Sequence, residues 1–127
     1  SGTKFIEYIE TEINNHRKWI SDLESMVDAM QVRPLQTNEY KCSFGHFYYS
    51  VAPSNPEISD TWKKVDVHHR AVHNAGKIAI GHIKNNDRSK AMQTIEKARE
   101  SSESMIMLLN DMAVKAKSVM FMEKRVF

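Results

Sequence analysis

Along residues 4–32, apolar side chains fall at Phe5, Ile9, Ile13, Ile20, Leu23, Val27 and Met30. Steps of three, four and seven describe one stripe on an α-helix. The gap between Ile13 and Ile20 is filled on that stripe by a histidine, His16. Pro34 pushes residue 33 out of helical geometry and predicts the end of the helix. Residues 59–84 repeat the pattern with Trp62, Val65, Val72, Ile80 and Ile83, the small Gly76 lying between them. Two histidines, His69 and His73, fall inside this second stripe. Ser59 or Asn55 suits its N-cap, Pro56 a first turn, and Asn85-Asn86-Asp87 its end. From Arg88, with Asp87 as cap, a third stripe steps by four and three through Ala91, Ile95, Ala98, Ser102, Met105, Leu109, Met112, Ala116 and Val119. This heptad-like seam predicts a long bundle helix that can run to the last residue.

Residues 35–58 give two readings. Tyr40, Cys42, Phe44, His46 and Tyr48 alternate at period two in an aromatic-rich stretch, as a strand does. A lone strand has nothing to pair with in an otherwise helical chain. Cys42, Gly45 and Tyr49 also share one face of a short helix, with Thr37 or Asn38 as its cap. Pro53 and Pro56, with Ser54 and Asn55, mark the loop that follows. The architecture expected is all-α: an antiparallel bundle of three long helices plus one short helix carrying Cys42.

Composition narrows the function. The chain has 127 residues, 41% hydrophobic and 27% charged, which suits one globular domain. We take that domain as residues 4–127 and Ser1-Gly2-Thr3 as a cloning remnant. Eighteen basic against sixteen acidic residues leave a net charge of +2, too weak to indicate nucleic acid or a membrane surface. No apolar run reaches the roughly 18 residues of a membrane helix, and no signal-peptide pattern appears. A single cysteine excludes an intrachain disulfide and points to a reducing cytoplasm. Five of the eight methionines lie at or beyond position 105, as expected of adaptable core or interface packing.

The histidines carry the chemistry. His69 and His73 are four apart, so one helix face presents two imidazoles a turn apart, a two-donor clip of the kind helical zinc sites use. His16 and Cys42 offer a third and fourth donor, and three imidazoles with one thiolate suit tetrahedral zinc. Singly, each has a plainer reading as a satisfied core histidine or a small buried hydrophobe. Together they favour a shared metal, because buried polar groups without partners are costly.

Three motifs then follow in order: His16-x-x-Trp19, Cys42-Ser-Phe-Gly45-His-Phe47, and His69-x-x-x-His73-Asn74-x-Gly76. Over residues 4–120 they resemble the chemoreceptor zinc-binding domain. The resemblance implies a helical bundle in which His16, Cys42, His69 and His73 bind zinc, and a symmetric homodimer. It also implies fusion to a soluble chemotaxis receptor or a diguanylate cyclase. The implied role is sensing zinc and, in some members, hypochlorous acid through the zinc-bound cysteine, and a helix around Cys42 is favoured. Phe47 stands where a tryptophan is common, and Asn74 and Gly76 match family positions with packing roles.

Zinc holds a cysteine as its nucleophilic, oxidisable thiolate, so Cys42 is the expected redox-reactive residue. Loss of its bond would free the short helix while three histidines keep the metal. Asp66, three residues before His69, is a candidate to orient an imidazole; pairing with Arg70 in solvent is the alternative. His46, His68 and His82 fall off the pattern, and Trp19 and Trp62 read as core anchors. An enzyme is not expected, since four protein donors leave no place for a catalytic water and no phosphate loop or nucleophile–base pair exists. A histidine phosphotransfer bundle, suggested by His73, Gly76 and Lys77, needs an exposed histidine. A di-iron bundle needs acidic or histidine donors from all four helices, and residues 88–127 offer no histidine. A dimerisation module with structural core histidines remains the other alternative.

Overall fold

The structure, a computed structural model, describes residues 2–127. Four helices follow in order: α1 (Gly2–Ala29), α2 (Ser43–Tyr48), α3 (Pro56–Lys84) and α4 (Arg88–Phe121), with no strand among the described residues. Of the expected cloning remnant, Ser1 lies outside the described residues, while Gly2 and Thr3 form the first turn of α1.

Helix starts follow the expected chemistry. Asn55 caps α3 by accepting the Glu57 N–H, with Pro56 in the first turn, and Asp87 caps α4 by accepting the Lys90 N–H. Helix ends follow a different device. At the end of α1, Met30 adopts a left-handed conformation (φ 50°), while Gln31 N–H donates to the Met26 carbonyl and Met30 N–H to that of Val27. This Schellman pairing satisfies the last carbonyls and stops the helix before Pro34 can. The same pairing, around Asn86 and Glu123, closes α3 and α4. The chain after α4 turns back: the Ser54 and Asn55 N–H groups donate to the Val126 carbonyl, and the Val126 side chain is buried.

The short helix has an unexpected cap. Neither Thr37 nor Asn38 starts α2; Cys42 itself does, its Sγ accepting the Gly45 N–H at 3.2 Å. Tyr40 and Cys42 therefore alternate in a turn, and the period-two aromatics continue into a helix rather than a strand.

α4 packs along both α1 and α3, whereas α1 and α3 make few direct backbone approaches. Ion pairs Glu10–Lys117 and Glu24–Arg99 set α4 antiparallel to α1, and Thr61 against Asp111 does the same for α3. Phe5 beside Trp62 and His16 beside His69 make α1 and α3 parallel, because the connection 30–55 returns along the bundle instead of turning tightly. α2 fills the gap between them: Phe44 meets rings from α1 and α3, and Phe47 packs on Phe5, Tyr8 and Trp62.

Every seam residue expected on α4 is buried. The core falls into two apolar clusters. One surrounds Phe5, Ile9, Phe44, Trp62, Val65, Met105 and Leu109; the other surrounds Leu23, Met26, Val72, Ala79, Ile95 and Ala98. His16, His69 and His73 lie between the two clusters in sequence register, and Ser102 occupies the matching gap on α4, all four buried.

Candidate metal centre

α3 presents His69 and His73 one turn apart with ring centroids separated by 4.7 Å, as their spacing requires. From α1, His16 brings its ring to 5.4 Å from His69 and 6.0 Å from His73. One nitrogen from each of the three rings lies within 4.8 Å of the other two. Cys42 approaches from the α2 cap, its Sγ 3.3 Å from His69 Nε2 and 3.6 Å from the Glu39 carbonyl, to which the thiol can donate. The structure thus brings all four sequence-predicted donors to one place, from three different elements.

All three imidazoles are buried, His69 and His73 completely. His16 Nδ1, His69 Nδ1 and both nitrogens of His73 have no hydrogen-bond partner. Burial lowers His16 to about 4, with repulsion from His73 adding to it, and lowers His69 to about 3, with His73, His16 and Arg70 adding. His73 is lowered by burial too, partly offset by the Thr37 backbone and the Glu39 carboxylate on its rim. Burial pushes the Cys42 thiol up, against the pull of the Gly45 N–H; the Glu12 charge raises it further. Neutral imidazoles are the form that binds metal.

Four orphaned nitrogens would each cost roughly 1–3 kcal/mol if the histidines were only packing. A shared cation, taking one nitrogen from each ring, would answer part of that cost. Two donors on tetrahedral zinc stand roughly 3.3–3.6 Å apart, given bond lengths near 2.0 Å to nitrogen and 2.3 Å to sulfur. The Cys42–His69 approach is of that size, and three imidazoles with one thiol are donors of zinc's borderline softness. The residues fit zinc.

Asp66 gives its carboxylate to the Tyr49 hydroxyl and, at 3.0 and 3.1 Å, to Arg70 Nε. No hydrogen bond joins it to His69, whose Nδ1 stands without a partner. Arg70 lies over the rings of Tyr40 and Tyr49, donates to the Tyr40 hydroxyl and pairs with Glu39, so it fastens residues 39–49 to α3. Trp19 is half-buried at the rim, its ring 5.0 Å from His73 and its Nε1–H donating to the Gln36 carbonyl. Gly76 makes room for it: a Cβ there would stand 2.6 Å from Trp19 Cη2. Trp62 is buried as expected, whereas Asn74 and His46 face solvent, and His68 and His82 lie half-buried away from the donors.

Sequence reasoning missed Glu12. It is buried one turn before His16, and burial raises its carboxyl above the ordinary range, opposed by hydrogen bonds from Ser43 and Asn15. The available signal was an acidic residue four before a histidine, on the edge of an apolar stripe.

Among the described residues no helix is long and apolar enough to cross a membrane. A family model described as the chemoreceptor zinc-binding domain matches residues 16–80, a span that holds all four donors. Searches of curated proteins and of solved structures gave no significant match.

Proposed function

The chain belongs to the chemoreceptor zinc-binding domain family, and from that premise we propose that it is a zinc-binding regulatory sensor domain of a bacterial signalling protein. His16, Cys42, His69 and His73 are the proposed zinc ligands. The observation that carries this reading is the buried layer of three neutral imidazoles, four of their nitrogens unpartnered, with the one thiol of the chain 3.3 Å from His69.

When bound there, zinc supplies the positive charge that favours the Cys42 thiolate. Cys42 is then the oxidisable group of the site. Its reaction with hypochlorous acid balances as thiolate plus HOCl giving sulfenic acid and chloride, with two electrons leaving sulfur. The signal in this reading is zinc, an oxidant of this class, or both. Cys42 is the one donor supplied by α2, so a change at its sulfur bears first on that short helix and on residues 39–49.

The domain acts as a homodimer in a reducing cytoplasm and regulates a receptor signalling or diguanylate cyclase module joined to it. Support for a second copy comes from α4, where Met107, Val114 and Phe121 recur every seven residues and are 73%, 65% and 91% exposed. A regular apolar stripe of this kind fits a partner helix.

Elemental analysis of the purified protein beside Cys42→Ala and His69→Ala tests the reading. About one zinc per chain, reduced in both variants, is expected. A protein that takes up no zinc when supplied with it, and dimerises regardless, would leave only a helical dimerisation module with core histidines.

A further inference from the structure

Three residues four apart on α1, Tyr8, Glu12 and His16, face the α2 segment. His16 belongs to the zinc reading. The other two converge on a single residue, Ser43, the first of α2 and the neighbour of Cys42. Both Glu12 oxygens lie 3.0 Å from Ser43 Oγ, and the Tyr8 hydroxyl donates to the Ser43 carbonyl at 2.6 Å. Asn15 Nδ2 steadies the Glu12 carboxylate at 3.3 Å. Glu12 is only 3% exposed. A buried carboxylate is a poor choice where packing alone is needed, because an apolar residue of the same volume avoids its desolvation. What the carboxylate adds is a directional, charge-assisted grip on one hydroxyl.

We infer that Glu12 is a positioning residue: through Ser43 it ties the Cys42-bearing helix to α1, one turn from His16. It is not a donor to the metal. It sets how readily α2, with Cys42, leaves the bundle, and it makes α1 the helix on which that departure is felt. The inference deepens the zinc-sensor reading and rests on it for its consequence, while its geometry stands without it.

Cys42 is the only cysteine, so the rate of reaction with a maleimide reports on this segment alone. The zinc-loaded protein is compared with Glu12→Met, Ser43→Ala, their double variant and Ser43→Thr, with thermal melting and amide exchange measured alongside. A charge-assisted bond implies labelling at least about tenfold faster in Glu12→Met and Ser43→Ala. The double variant should be no faster than the singles, and Ser43→Thr should restore the slow rate. Faster exchange should be confined to α2, and Glu12→Met should melt no lower than the parent, since it removes a buried charge. Labelling of Glu12→Met at the parental rate would overturn the inference. So would acceleration that tracks a fall in melting temperature and faster exchange throughout α1, α3 and α4. Should Glu12→Met not fold, Ser43→Ala, at an exposed residue, decides the matter alone. If no variant binds zinc, nor the parent, the zinc reading fails, and the same labelling comparison on the metal-free protein still decides the tether.

Discussion

Two glycine-to-alanine substitutions on helices should move stability in opposite directions. Gly45 lies in α2 with ordinary helical φ, and its N–H donates to Cys42 Sγ. A Cβ built there would stand 1.8 Å from the Glu39 carbonyl oxygen, 2.9 Å from its carbon and 3.2 Å from Tyr40 Cα. All three are backbone atoms, so no side chain can swing aside; the turn 39–42 would have to retreat by well over an ångström. That turn cannot move freely, since the Glu39 carboxylate is held by Arg70 at 3.5 Å and Lys77 at 3.9 Å. Overpacking of this kind costs about 1–3 kcal/mol, more than the roughly 0.5–1 kcal/mol that alanine gains over glycine in a helix. Metal sites tolerate donor shifts of only about 0.2 Å, so displacing Cys42 should also cost zinc.

At Gly81, in α3, an added Cβ meets nothing within 4 Å. Gly81→Ala should therefore stabilise by about 0.4–1 kcal/mol through helix propensity and the unfolded chain. Urea denaturation of both variants, read by far-ultraviolet circular dichroism and paired with zinc content, makes the comparison. The expected result is a lower midpoint and less zinc for Gly45→Ala, and a higher midpoint with full zinc for Gly81→Ala. A Gly45→Ala protein as stable and as zinc-replete as Gly81→Ala would refute the claim that close approach of Glu39 to α2 fixes the Cys42 sulfur.

The metal-free protein should lose stability as pH falls from about 6.5 toward 4. Folded His16 sits at about 4 against an ordinary 6.5, so the unfolded chain takes up protons first. That stability is fully present above 6.5 and is lost as pH falls through the folded value; His16 alone accounts for about 3 kcal/mol, and His69 acts in the same direction. A urea midpoint independent of pH over this window would contradict burial of neutral imidazoles. Zinc binding near pH 7 should release close to one proton per metal, from the raised Cys42 thiol and not from imidazoles that are already neutral. Calorimetry in buffers of different ionisation enthalpy measures it, and release near zero would remove the thiolate from the ligand set. Val114→Glu, on the exposed stripe of α4, should convert the proposed homodimer to monomer by light scattering while leaving zinc content unchanged; an unaltered dimer would place the interface elsewhere.

The stripes that carry His16, His69 and His73 were legible because helical burial leaves a period that sequence shows directly. The α4 seam was legible for the same reason, residue for residue. Helix ends were mixed: Asn85-Asn86-Asp87 marked the stop of α3, but Pro34 suggested that of α1, which Met30 ends earlier by a left-handed cap that a non-glycine residue disguises. The α2 segment was ambiguous because its aromatics satisfy both periods. The tie was broken by Cys42 acting as the cap, a role that Ser, Thr, Asp or Asn usually fills. Least legible were Glu12 and the parallel course of α1 and α3. Each depends on how the connection 30–55 lies across the bundle, and no local pattern encodes that. For Asp66 both readings were available from spacing, and the position of Tyr49, seventeen residues away, directs its hydrogen bonds.

The placement of the donor layer explains how a metal site can report instead of merely holding the chain together. Small zinc modules without a core of their own are unfolded until metal binds. Here an apolar cluster on each side of the imidazoles has its own buried leucine, isoleucine and methionine side chains, one of them with buried aromatic rings as well, and α4 runs through both. Neither cluster needs the metal to exclude water. What depends on the layer is the course of the chain across it: α1 and α3 make few direct backbone approaches and meet through side chains such as Phe5 with Trp62 and Trp19 with His73, and Cys42 with α2 bridges them. The free energy of binding is therefore available for drawing α1, α2 and α3 together at one level. Because Ser43 and Cys42 are adjacent, the grip of α1 on α2 through Glu12 and that of α3 on Cys42 through His69 act on neighbouring residues. Loosening either one shifts load to the other, which is the coupling a sensor requires between its metal and its long helices.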